Sequence, residues 1–192
     1  MTFRNNDLDL ALADVTASSA GGSPFLIAYG ATFLITGVLS FFIPLETAAL
    51  IAMFQGGAAL PLAFWLERRL SAKRMESNNP LRTLAAQMAM SQALALPALI
   101  ILYNLDPVSV PVFLAAIGGV HFVPYAWLHR TRLYAVLAVL VAIGAFALRI
   151  MLSADILPIT MLYIGIVYWL MAPLLYLHAT RLSRGSPALA GD

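Results

Sequence analysis

Pro61-Leu-Ala-Phe-Trp-Leu-Glu-Arg-Arg-Leu70, Pro124-Tyr-Ala-Trp-Leu-His-Arg-Thr-Arg-Leu133 and Pro173-Leu-Leu-Tyr-Leu-His-Ala-Thr-Arg-Leu182 are three near-copies of one phrase. Proline opens each copy, an aromatic stands fourth, and Arg-Leu closes it. Each copy ends a long apolar run. Aromatics followed by arginine mark the cytoplasmic end of a membrane-crossing helix, where amphipathic rings sit among headgroups and cations stay on the inner side. The phrase therefore fixes topology, and the rest of the chain follows from it.

Working outward, the uncharged stretches are 15–45, 47–66, 83–105, 107–129, 133–148 and 156–180. A hydrocarbon core of about 30 Å needs roughly 20 helical residues, and five of these stretches suffice outright. The fifth is bounded by Arg149, whose long stem can snorkel to the interface and lengthen the span. Only 10% of the 192 residues are charged, against about 25% in a soluble domain. The expected fold is an all-α membrane protein, a six-transmembrane-helix bundle. It divides into a tail, 1–22, a single membrane domain, 23–180, and a second tail, 181–192, with spans at about 24–43, 47–66, 82–103, 108–128, 133–152 and 157–178.

With both termini cytoplasmic, Arg4, Arg68, Arg69, Lys73, Arg74, Arg82, Arg130, Arg132, Arg181 and Arg184 all fall inside, and only Arg149 falls outside. The expected location is a bacterial cytoplasmic (inner) membrane. Residues 1–22 do not read as a signal peptide, because Asp7, Asp9 and Asp14 interrupt the region that should be basic and apolar. Leu8, Ala11, Leu12 and Val15 follow helical spacing, leaving two readings: a short helix on the inner membrane surface, or a disordered tail.

The three phrases have two readings as well. They are either the ends of three repeated helical hairpins around an axis normal to the membrane, or shared interface grammar without repetition. A net charge of +2 gives no reason to expect nucleic acid. The absence of cysteine excludes disulfides, thiolate metal sites and cysteine nucleophiles. There is no H-E-x-x-H, P-loop or G-x-S-x-G, so no catalytic residue, metal or cofactor is assigned. Membrane lipids are the expected partners, with a small molecule as candidate ligand. Oligomeric state is open.

Ionisable and polar groups within spans are costly and therefore informative. His121 lies about 10 Å inside the cytoplasmic boundary of span four at 1.5 Å per residue. Gln87 reaches a similar depth from the other direction. Ser91 is one turn beyond Gln87, and Tyr125 one turn beyond His121. Gln55 and Gln92 fall near the midplane. These six form a candidate ligand site; helix-to-helix hydrogen bonding is the alternative for each. Glu46, Asp106 and Asp155, one in each outer turn, read either as helix caps or as acids around an outer mouth. His129 and His178 share one place in the phrase and read as markers of the membrane boundary. Prolines 61, 97, 124 and 173 lie within spans, where they remove a donor and kink the helix.

Gly118-Gly-Val-His121-Phe-Val-Pro124-Tyr125-Ala-Trp127-Leu128, with Asn79-Pro80-Leu81 before span three, resembles a family of small bacterial membrane proteins known only as a domain of unknown function. The resemblance implies a six-helix membrane protein with His121, Pro124, Tyr125 and Trp127 as its signature, and it implies no activity. Three functions follow. The leading one is binding or passage of a small apolar or zwitterionic molecule through a cavity between spans two, three and four. The others are a membrane-embedded enzyme using His121 as acid or base, and a non-catalytic partner or assembly protein.

Overall fold

The computed structural model describes residues 5–71, 73–152 and 156–185, and every regular element among them is helical. α1 (Asn5–Ser18) passes through a 3-10 turn, Ala20–Gly22, into α2 (Ser23–Leu39), followed by α3 (Leu45–Leu70). α4 (Arg82–Met90), a 3-10 segment (Ser91–Ala95) and α5 (Leu96–Leu105) form one interrupted span. α6 (Val110–Leu128), α7 (Leu133–Met151) and α8 (Ile156–Gly185) complete the bundle. Six helical stretches are long and apolar enough to cross a membrane: 20–39, 45–70, 82–105, 107–128, 133–151 and 156–184. Phe42, Leu94, Leu105, Val120 and Ile150 point outward and are largely exposed. A surface this apolar suits hydrocarbon and no aqueous solvent.

The chain alternates direction, so the start of α2, the ends of α3, α6 and α8, and the loop 71–81 share one end. Arg68, Arg69, Lys73, Arg74, Arg82, Arg130, Arg132, Arg181 and Arg184 lie at this basic end. There Trp65 and Trp127 are about half exposed, and the Arg69 guanidinium sits 5.6 Å from the centre of the Trp65 ring.

α8 is the central post, with 61% of its most apolar stretch buried. Its Leu157, Met161, Ile164, Tyr168, Met171, Leu175 and Ala179 repeat every three or four residues and are all buried, one continuous helical face. The tightest packing joins α2 to α8, α6 to α7 and α2 to α3. Lipid tails are as apolar as leucine, so close fit rather than the hydrophobic effect must hold such helices together. Gly30 and Gly165 meet across α2 and α8, each placing the other's carbonyl oxygen within 3.2 Å of where a Cβ would stand. Gly119 does the same against Ala138 of α7, whereas Gly57 faces open space. The first span packs more closely on the last than on its own hairpin partner. Packing lends the three-hairpin reading no support.

Span three is peripheral, with only 6% of its stretch buried. Pro97 lacks the N–H that would continue the helix and its ring crowds the preceding turn. The backbone responds with the 3-10 segment Ser91–Ala95. By contrast Pro61, Pro124 and Pro173 are accommodated inside α3, α6 and α8.

α1 is a regular helix whose second half packs against the bundle. Residues 11–18 are all buried. Ala11, Leu12 and Val15 pack with Leu81 and Leu128 into a small apolar cluster of their own. Gly21 (φ 64°) and Gly22 (φ 78°) take the left-handed backbone that turns α1 back over the bundle, a conformation costly for residues with a Cβ. A polar latch holds it. Asp14, 3% exposed, pairs with Lys73 at 2.7 Å. Its Oδ2 accepts from Asn79 Nδ2 at 2.7 Å and the Glu76 N–H at 3.2 Å. Asn79 Nδ2 also donates to the Ala11 carbonyl, and its Oδ1 accepts from the Leu81 N–H at the threshold of α4. Burial alone would raise the Asp14 pKa, but the hydrogen bonds from Lys73, Asn79 and Glu76 outweigh it and hold the carboxyl below 3.8. Burial works against the Lys73 charge too, yet Asp14 and Glu76 raise its pKa above 10.5.

Candidate functional site: an aromatic cavity under the N-terminal helix

A cavity of about 220 Å³ lies in the basic-end half of the bundle, beneath α1. α1 supplies Val15 to its wall, and the turn after it Ser19 and Gly22. α2 contributes Phe25, Leu26 and Tyr29, and α3 contributes Leu60 and Glu67, two turns apart on one face. Met75 comes from the basic loop. Ala85, Ala89 and Gln92 line it from span three, Tyr134 from α7 and Tyr168 from α8. α6 and the residue after it give the most: His121, Phe122, Tyr125, Leu128 and His129.

Residues 121, 125 and 129 are four apart, so their rings stack up one side of the helix. His121 and Tyr125 have ring centres 4.9 Å apart. Tyr125 lies parallel to His129 at 5.7 Å, and His129 to Tyr134 at 5.1 Å. Phe122 extends the series to Tyr168, edge-on at 5.7 Å. A continuous column of rings thus runs from the end of α6 across α7 to α8.

His129, directly after the last residue of α6, is 2% exposed. α1 lies over it. The Thr16 hydroxyl donates to the Leu12 carbonyl at 3.0 Å, leaving its oxygen to accept from His129 Nδ1, 3.3 Å away. That network assigns the proton to Nδ1 and leaves Nε2 as an acceptor. His178 is half-buried, and its Nε2–H donates to the His129 carbonyl at 2.9 Å. Burial, helped by the neighbouring His178, pushes the His129 pKa down to about 3, so the ring is neutral at physiological pH. The Tyr134 hydroxyl donates to the Gly21 carbonyl at 2.7 Å, tying the α1–α2 turn to α7.

Other polar groups at the cavity are unspent. Among the described residues, the hydroxyls of Tyr29, Tyr125 and Tyr168 and both ring nitrogens of His121 have no hydrogen-bond partner. Gathered on one mostly apolar wall, these free groups form a surface suited to a ligand with polar features.

The six candidate ligand-site residues separate. His121, Tyr125 and Gln92 come together on the cavity. Gln87 and Ser91 stay outside and exposed, and the Ser91 hydroxyl donates to Met88 O at 2.7 Å. The reason is rotational: Ala85, Ala89 and Gln92 set the inward face. Residue 87 then stands about 200° around from residue 85 at 100° per residue. Gln55 is buried elsewhere on α3, its Oε1 accepting from Thr36 at 3.3 Å. Of the signature residues, His121 and Tyr125 face the cavity while Pro124 and Trp127 face outward.

The three acids do not form one group. Glu46 is exposed in the first turn of α3. Asp106 accepts from the Ser109 hydroxyl at 2.5 Å and approaches Arg149 at 3.9 Å. Asp155 lies outside the described residues. No three His, Asp or Glu among the described residues gather where one metal ion could be held.

Sequence reasoning missed His129, Tyr134, Tyr29, Tyr168 and Glu67. The four-residue spacing of His121, Tyr125 and His129 was a usable signal. So was Glu67, an acid inside an otherwise basic phrase.

Six apolar spans and an outward apolar surface define a multi-pass α-helical membrane protein. Residues 8–178 match the model of a family of unknown function, DUF7010, and the chain belongs to that family. No curated protein and no solved structure matches it.

Proposed function

We propose that this protein binds, or passes, a small, mostly apolar or zwitterionic molecule in the cavity beneath α1. The observation that carries this reading is the set of unpartnered groups, His121, Tyr125, Tyr29 and Tyr168, on the wall of a cavity of about 220 Å³. The basic end faces the cytoplasm of a bacterial inner membrane in this reading, because all the described Lys and Arg except Arg149 lie there. α1, Asp14 and Lys73 then cover the site from the cytoplasmic side. Acid–base catalysis draws less support, since no carboxylate among the described residues hydrogen-bonds to either cavity histidine.

Native mass spectrometry of the purified protein tests the reading. A retained small molecule, lost in Tyr125→Ala together with His121→Ala, is the expected result. Identical adducts in wild type and double variant would refute it.

A further inference from the structure

The cavity has one charged side chain among its described lining residues, and it is negative. Glu67 stands near the end of α3, half-buried, and makes no ion pair among the described residues. Its neighbours Arg68 and Arg69 are exposed on the outside of the helix, Arg69 over Trp65. No Lys or Arg among the described residues lines the cavity. The other free polar atoms are acceptors or groups that serve either way: His129 Nε2, the His121 ring nitrogens, the free tyrosine hydroxyls and Gln92. An anionic ligand would meet a carboxylate here and no fixed cation. The same cavity is lined by aromatic rings, those of Phe25, Tyr29, Phe122, Tyr125 and Tyr168. Ring faces carry negative quadrupole potential and attract weakly hydrated cations, most strongly where water is excluded. A carboxylate unpaired in an apolar wall is costly, and an incoming cation offsets that cost.

We infer that the ligand carries an organic ammonium group, seated between Glu67 and the aromatic rings, on a small apolar body. This rests on the ligand-site reading above and narrows its chemistry. The group could belong to a free organic cation or to the amine of a lipid headgroup; the recognition is the same.

The test uses the full-length protein in detergent and two probes of nearly equal shape, benzyltrimethylammonium and its neutral carbon isostere neopentylbenzene. Isothermal calorimetry should show the cation binding more tightly, with Glu67→Gln reducing that preference about tenfold. Comparing the two probes within one variant separates loss of charge recognition from loss of fold. Tyr125→Leu, which removes a ring and keeps the carboxylate, should also reduce the preference. Equal affinity for both probes in wild type overturns the cation inference and leaves the ligand site standing. Binding of neither overturns both. In native mass spectrometry, a phosphatidylethanolamine adduct displaced by benzyltrimethylammonium identifies a headgroup as the source. Probe binding without that adduct identifies a free cation.

Discussion

The two ends of the bundle treat their polar groups differently. At the end away from α1, Asp106, Ser109 and Arg149 satisfy one another: the Ser109 hydroxyl donates to Asp106, Arg149 Nε approaches Ser109 Oγ at 3.4 Å, and Arg149 pairs loosely with Asp106. At the basic end there are two sets of polar groups. One set, Asp14, Lys73, Asn79, Thr16 and Tyr134, is spent on holding α1 in place. The other, His121, Tyr29, Tyr125, Tyr168 and Glu67, is left facing a cavity. Polar residues alone do not mark a site; unpartnered ones gathered on one cavity wall do, because a ligand there can pair with them.

The largest effect should come from breaking the latch. Asp14→Ala leaves Lys73 only Glu76, Asn79 Nδ2 only the Ala11 carbonyl, and the Glu76 N–H without its acceptor, and removing one partner of a buried pair costs about 3 kcal/mol. The expected outcome is faster amide exchange throughout residues 5–18, measured by mass spectrometry, with α8 exchange unchanged. If α1 and α8 loosen equally, the latch is not a local device.

The same latch should respond to pH at both extremes. The Asp14 pKa is held below its unfolded 3.8, so its contribution is present above that pH and is lost as pH falls through the lower folded value. The Lys73 pKa is raised above 10.5, so its contribution is present below that pH and is lost as pH rises through the higher folded value. Exchange of α1 should therefore be flat, once corrected for intrinsic rates, from about pH 4.5 to 9.5. A transition near pH 6.5 would point to a histidine instead.

Tyr134→Phe removes the hydrogen bond to Gly21 O while keeping the ring in the column. The expected loss is about 1 kcal/mol, read as a lower midpoint in thermal unfolding in detergent. An unchanged midpoint would mean the α1–α2 turn is held by its glycines alone. Smallest is Asp106→Ala at the opposite end. Asp106 and Arg149 are each about two-fifths exposed and 3.9 Å apart, so the cost should stay below about 0.5 kcal/mol. A loss as large as that of Asp14→Ala would erase the contrast between the two ends.

The legible parts of this protein are those written in short-range chemistry. Uncharged runs bounded by arginine became six apolar helices, because the need to satisfy every backbone group within lipid makes helix the outcome of such a run. Span four disclosed His121 and Tyr125 because a histidine inside a span is conspicuous. His129 was hidden by its likeness to His178, and the difference between them is that α1 and Thr16 lie against one ring. Gln87 and Ser91 were plausible by depth, but depth says nothing of rotation, and span three turns them away from the cavity.

By itself, then, the sequence determined the bundle: membrane class, number of spans, and the clustering of positive charge at one end. Each depends on hydropathy and charge summed along a single helix, so no knowledge of neighbours is required. Only the tertiary structure decided that α2 packs on α8, that α1 folds back over the basic end, and which polar groups are left without partners. Those outcomes depend on helix rotation and close approach between segments as far apart as Gly30 and Gly165. In lipid, fit selects such contacts, and apolar character cannot, since every helix has it.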